Sequence, residues 1–302
     1  MAATRRSETV LWALTAILLA GMVVAAFVPS LGLTLIVIQL GYVFLHGTLR
    51  YGWRAVVVFV VGGLVISNIL ENLSIQTGFP FGHYHYTGDG KIFQVPWFIG
   101  PAYLATGYLA WVVATALLAD VRRRSSWLVT IGTPLVGAFA MTAWDLAFDP
   151  SRSTVDQVWI WENGGGFFGV PLVNFLGWTF TVYLFMQVFA LYLRSRGPLP
   201  DAVPPRAAGD LPAVALYAAT ALPFFVVLFN GEHAAVTDAS GEAWSTADIY
   251  ETSALLAVYG MVFLSLLAIL RIAQRRTSTV ATVEAAHTAA PKQTEPAGAK
   301  PG

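Results

Sequence analysis

Apolar residues run along this chain in long stretches separated by short polar clusters, the pattern expected when a bilayer rather than water is the solvent. Eight stretches are of the roughly 17–25 residues that a helix needs to cross a hydrocarbon core: Val10–Val28, Gly32–Leu49, Ala55–Leu73, Pro101–Leu118, Trp127–Phe148, Leu172–Leu193, Leu211–Phe229 and Thr252–Leu270. Open sheets are not viable there, because lipid cannot satisfy backbone N–H and C=O groups. The expected fold is therefore all-α, a polytopic bundle of about eight transmembrane helices occupying residues 1–272. The first stretch is long for a signal peptide and seven spans follow it, so it reads as an uncleaved helix. Residues 273–302 are rich in Ala, Thr, Pro and Lys without apolar periodicity, and are expected to form a disordered cytoplasmic tail. The Pro- and Arg-rich stretch Arg194–Asp210 reads as a hinge between a six-helix body and a final helix pair.

Composition agrees. The 302 residues are 56% hydrophobic and 11% charged, with mean hydropathy +0.64. A soluble domain usually carries about 25% charged residues. The formal net charge of zero gives no field for nucleic acid. The absence of Cys excludes disulfides, thiolate nucleophiles and Cys-ligated metals. Of the 17 Lys and Arg residues, all but Lys91 and Arg152 fall on one set of alternate loops and termini. By the positive-inside rule both termini are cytoplasmic, in a multi-pass protein of the cell membrane.

With that topology the unusual residues gather on the extracytoplasmic side. The third span ends in Asn68, Glu71 and Asn72, whose spacings of three and four suggest one face. The loop Thr77-Gly-Phe-Pro-Phe-Gly-His-Tyr-His-Tyr86 and the segment Val95-Pro-Trp97-Phe follow. The fifth span ends in Trp144-Asp145, with Asp149-Pro150 a turn later. Beyond come Trp159-Ile-Trp161-Glu-Asn163, three glycines, Gly169-Val-Pro171, and then Asn174 and Trp178. Carboxyl groups within apolar spans are costly and tend to mark function. Against this stand bland readings: acids near helix ends can reach headgroup water, and Trp and Tyr form interfacial belts. A generic belt would decorate both faces, whereas the cytoplasmic loops are plain.

Other candidates are weaker. His46, near Arg50, reads as a snorkelling or packing residue. Gln39 and Gln187 are expected to make interhelical hydrogen bonds. His83 and His85 could present a pair of metal ligands if extended, but five histidines cannot supply the set a membrane di-iron oxygenase requires, and no metal is expected. The acidic loop Glu232, Asp238, Glu242, Asp248 reads as solvated surface, with Glu232-His233 near enough to the membrane to assist a site. The three lysines, Lys91, Lys292 and Lys300, lie outside the spans, which excludes a retinal Schiff base. No glycine fingerprint follows a strand, so no dinucleotide is expected. Aspartate-rich motifs of prenyl transferases are absent.

These residues resemble the membrane carotenoid-biosynthesis family that includes the carotenoid hydratases of the bisanhydrobacterioruberin hydratase and γ-carotene 1′-hydratase type. The resemblance rests on Glu71, Gly78-Phe-Pro-Phe-Gly82 with Tyr84 and Tyr86, Val95-Pro96, Asp145, Asp149-Pro150, Trp159-x-Trp161 and Gly169-Val-Pro-Leu-Val-Asn174-Phe-x-Gly-Trp178. It covers about residues 30–270. It implies a lyase-type enzyme that adds water to the terminal C=C bond of an acyclic carotenoid end, giving a tertiary alcohol. An example would be bisanhydrobacterioruberin converted to bacterioruberin. The residues suit that chemistry. Protonating the less substituted carbon needs a poorly solvated acid, a role assigned to Asp145 with Asp149 nearby. The tertiary cation needs aromatic faces, available from Tyr84, Tyr86, Trp97, Trp144, Trp159, Trp161 and Trp178. Water is to be held by Glu71, Asn72 and Asn174. No cofactor is expected. The expected partners are the acyclic carotenoid, the lipid bilayer and other membrane enzymes of the pathway.

Two other function classes compete. A proton-coupled carrier would place its acids near the midplane, often in repeated halves; here they sit near one interface and no repeat is visible. A non-catalytic carotenoid-binding subunit would keep the aromatics without needing two carboxylates. The distribution of basic residues makes a topological prediction. Reporter fusions after Val121 and after Arg276 are both expected to report cytoplasm, and an extracytoplasmic signal from either would break the eight-span arrangement.

Overall fold

The computed structural model describes residues 2–28, 31–199 and 209–289. Among them, eight helical segments are long and apolar enough to cross a membrane, and the chain is a multi-pass, all-α membrane bundle. The helices are α1 (Ala2–Phe27), α2 (Gly32–Tyr51), α3 (Trp53–Thr77), α4 (Ile99–Leu117), α5 (Trp127–Pro150) and α6 (Leu172–Arg196). The seventh span comprises α7 (Asp210–Ala219) and α8 (Leu222–Asn230), and the eighth runs from α9 (Thr246–Leu256) through a π-helical segment (Ala257–Val262) into α10 (Phe263–Ala289). Residues 273–289 of the expected tail continue α10 as helix, while 290–302, and 200–208 of the expected hinge, lie outside the described residues.

Burial follows side-chain size and polarity. Helix α4 stands at the centre, buried continuously from Tyr103 to Ala116. Its small residues let neighbours approach: a Cβ on Gly107 would lie 3.1 Å from Phe185 and 3.2 Å from Met141. The outer faces of α1, α2 and α3 expose Ile17, Val37, Val61 and Ile69, a surface suited to lipid. The seventh span departs from the single helix expected. It breaks at Thr220 and Ala221 because Pro223 has no N–H for Ala219 and its ring crowds the preceding turn.

The polar-rich side carries short strands that the apolar pattern did not foretell: β1 (Tyr84–Tyr86), β2 (Lys91–Ile92), β3 (Val95–Pro96), β4 (Trp159–Trp161), β5 (Ala235–Thr237) and β6 (Ala243–Ser245). They pair antiparallel as β1–β4, β2–β3 and β5–β6. Two glycines make this cap compact. At Gly177 of α6 a Cβ would lie 2.7 Å from the Pro80 carbonyl oxygen and from Phe81, so only glycine lets α6 press against the loop after α3. At Gly165 a Cβ would fall 2.2 Å from the Val170 carbonyl, in the turn that returns the chain to α6.

The opposite end is not plain, contrary to the reading of its loops. Arg50 is buried, with Nη2 donating to Asp120 at 2.6 Å and to Thr115 at 2.8 Å, and Nη1 donating to Asp210. Arg122 donates to the other oxygen of Asp120 at 2.5 Å, and Tyr51 donates to Asp120 at 3.0 Å. Nor does His46 snorkel. It is fully buried, its ring nitrogens 2.7 Å from the Tyr108 hydroxyl and 3.0 Å from the Gly209 carbonyl. Gln187 does bond across helices, to the Thr130 carbonyl at 3.3 Å; among the described residues Gln39 does not.

Breaking a buried ion pair from one side leaves the other charge uncompensated. Arg50→Leu is therefore expected to destabilise the detergent-purified protein by about 3–5 kcal/mol, read as a lowered midpoint of thermal or denaturant unfolding. An unchanged midpoint would show that the network contributes nothing.

Candidate functional site

The site begins with an alternation. Strand β1 pairs with β4 in the register Tyr84↔Trp161, His85↔Ile160, Tyr86↔Trp159. Successive side chains on a strand point to opposite faces, so the two tyrosines and two tryptophans share the buried face. His85 points outward, and both it and His83 are exposed. His85 meets Glu162 at 3.4 Å, and among the described residues no group of three metal-ligating side chains is gathered.

Each inward aromatic carries a polar tip to a buried carboxyl group. Tyr84 and Tyr86 donate to Oε2 of Glu71, the latter at 3.1 Å, and Tyr103 of α4 donates to Oε1 at 2.7 Å. Three phenols on two oxygens are the hydrogen-bond complement of a carboxylate. Trp159 and Trp161 both donate their indole N–H to Oδ1 of Asp149, at 3.1 and 3.2 Å. Asn174 donates to Oδ2 of Asp149 at 2.6 Å and lies 3.3 Å from Oδ2 of Asp145, one turn back on α5. Asp145 is fully buried, and its Oδ1 has no hydrogen-bond partner among the described residues.

A cavity of about 900 Å³ opens over these groups, near the upper end of the roughly 300–1,000 Å³ of small-molecule sites. Glu71, Asp149, Asn174, Tyr84, Tyr86 and Tyr103 line it, with Trp144, Trp159, Trp161 and Trp178. The aromatic walls are interlocked: Tyr103 stacks on Trp178 at 4.3 Å and 3°, Trp144 on Phe148 at 4.3 Å, and Tyr84 lies 4.8 Å from Trp161. The exposed pair Arg152–Asp156, 2.6 Å apart, and Asn230 form part of the wall. Exposed Phe27 and Leu33 form another, at the α1–α2 corner. The cavity thus reaches both exposed polar and exposed apolar surface.

Most of the residues singled out from sequence converge here, and five do not sit as expected. Asp145 is not on the cavity wall; Asp149 is. Asn72 serves the loop instead of water. It donates to the Asn68 carbonyl at 2.8 Å and accepts from the Gln94 N–H at 3.0 Å, because adjacent helix positions lie about 100° apart and Glu71 takes the inward one. Trp97 is half exposed and packs on Phe98, outside the cavity. Glu232 and His233 are exposed and do not line it either. Tyr103 was missed. Its signal was a phenol one turn inside a span that also carries Tyr108.

The family model described as carotenoid biosynthesis protein matches residues 31–240. No curated protein and no solved structure matches the chain.

Burial, with the neighbouring Glu71 charge, pushes the phenols of Tyr84 and Tyr86 well above the ordinary tyrosine range. Both therefore stay protonated donors where an exposed tyrosine ionises, near pH 10. In alkaline titration of the native protein, Tyr84→Phe and Tyr86→Phe are expected to leave the tyrosinate absorbance unchanged up to about pH 11. A loss of amplitude there would mean that these phenols are not caged.

Proposed function

Since the chain belongs to the carotenoid biosynthesis protein family, we propose that it hydrates the terminal C=C bond of an acyclic carotenoid end group without a cofactor. The observation that carries this reading is the placement of two carboxyl groups, Glu71 and Asp149, on one wall of a large aromatic cavity, each held by its own set of neutral donors.

The polyene enters from the lipid side past Phe27 and Leu33, and its end lies among Tyr103, Trp144 and Trp178. The two indole N–H groups on Oδ1 of Asp149 leave Oδ2 as the oxygen that carries the transferable proton. That proton passes to the less substituted alkene carbon, and the π pair forms the new C–H bond. The tertiary cation is stabilised by the surrounding ring faces. Water, entering by Arg152 and Asp156, forms the C–O bond and gives up a proton to Glu71. Glu71 then releases its proton to bulk water and Asp149 takes one up, so both acids are reset and the net reaction consumes one alkene and one water. Asp145, one turn behind, shares the Asn174 amide and tunes Asp149, so the acid function belongs to the pair.

The test is turnover of an acyclic carotenoid by purified protein, read as a product heavier by one water. Asp149→Asn keeps the shape and an oxygen for the two indoles, but replaces Oδ2 by an amide NH2 and so removes the acidic proton. It is expected to lower kcat by the ~10²–10⁴ typical of a general acid while leaving pigment binding intact. Asp145→Asn is expected to have a smaller effect, and Glu71→Gln an intermediate one, because an amide still holds water. Wild-type turnover in all three variants would overturn the carboxyl mechanism.

A further inference from the structure

The cavity has a second polar region, on walls that the carboxyl site does not use. Gln39 of α2, Thr106 of α4 and Ser253 of α9 all line it, at 7%, 7% and 3% exposure. None of the three side chains has a hydrogen-bond partner among the described residues. Each is the lining residue furthest along its helix from the cap of short strands. Gln39, Thr106 and Ser253 stand seven residues from Gly32, Ile99 and Thr246, the starts of their helices, a depth of about 10 Å at 1.5 Å per residue. Thr106 is also one turn below Tyr103, the innermost phenol on Glu71. Helices α2 and α9 supply nothing to the carboxyl group cluster. Between the two regions the wall is apolar, with Ile36, Ala102, Ala105 and Phe224.

Three polar side chains from three separate helices, buried at one depth and facing one void without partners, are costly unless something in the void satisfies them. An amide and two hydroxyls each donate and accept, and no charged side chain lines the cavity at that depth. The chemistry they fit is a neutral oxygen function, not a phosphate or a carboxylate.

We propose that Gln39, Thr106 and Ser253 form a subsite for a neutral hydroxyl group carried by the polyene, so that the protein prefers an oxygenated acyclic carotenoid over the corresponding hydrocarbon. The proposal rests on the carotenoid reading of the cavity but not on the hydration step. It deepens that reading by placing a recognition element apart from the reacting bond. A site that has buried hydrogen-bonding groups discriminates against a ligand that leaves them unpaired.

The experiment measures binding of two probes to the full-length protein in detergent, an acyclic carotenoid hydrocarbon and its monohydroxy derivative, by the shift of visible absorbance on titration. Wild type is expected to bind the hydroxylated probe about tenfold more tightly, the effect of one to two net hydrogen bonds. In Gln39→Leu and Thr106→Val the ratio is expected to fall toward one, with Ser253→Ala between. Binding of the hydrocarbon probe reports that each variant is folded. Equal affinities in wild type, or a ratio unchanged in all three variants, would overturn the subsite and leave these groups to water. Because binding is read without turnover, a protein that shows the preference yet hydrates neither probe would sink the hydratase reading and keep the subsite. A protein that hydrates both probes without preference would do the reverse.

Discussion

The antiparallel pairing of β1 with β4 is the constraint on which the site depends. A strand's period of two puts Tyr84 and Tyr86 on one side of a three-residue segment, and the register sets Trp161 and Trp159 beside them. The two phenols then end at Glu71 and the two indoles at Asp149. A slip of one residue would turn all four outward and bring His85 and Ile160 in. Six residues of sheet thereby position both acids of a helical membrane protein.

The choice of aromatics for this task follows from the solvent. A carboxyl group within an apolar span must be satisfied by the protein, since water is scarce there. Lys or Arg would satisfy it with a full opposite charge. Tyr and Trp instead supply one N–H or O–H at the tip of a large apolar body, which satisfies the acid and builds the hydrophobic wall together. The same protein uses the other solution at its far end, where Arg50 meets Asp120 and Asp210. One end is thus ionic, the other neutral in its donors and hollow.

Much of this was legible in the sequence, because membrane physics makes departures from apolarity conspicuous. The eight spans, the acids Glu71, Asp145 and Asp149, the Trp159-x-Trp161 pair and Asn174 all stood out by chemistry and place. What was not legible is azimuth. A single sequence shows which residues share a face of one helix, but not where that face points. Asn72 therefore read as a partner of Glu71, though its side chain turns to the Gln94 loop. Asp145 read as the proton donor from its depth in an apolar span and its place after Trp144, though Asp149 is the one on the wall. Tyr103 and Arg50 were hidden for a related reason. A phenol in one span and an arginine at the end of another are both ordinary until distant partners are known.

The Arg50 network also bears on the order in which the protein can be assembled. Its members are far apart along the chain: Asp120 follows Arg50 by 70 residues and Asp210 by 160. During synthesis the second helix enters the bilayer with its guanidinium unmatched, and the first carboxylate arrives only after two more helices. The second arrives with the seventh span. Each step removes part of the cost of an uncompensated charge, so the early helices are held in a state that later ones complete. A chain that stops after α6 would keep its aromatic cap, yet it would lack the residue that closes the opposite end.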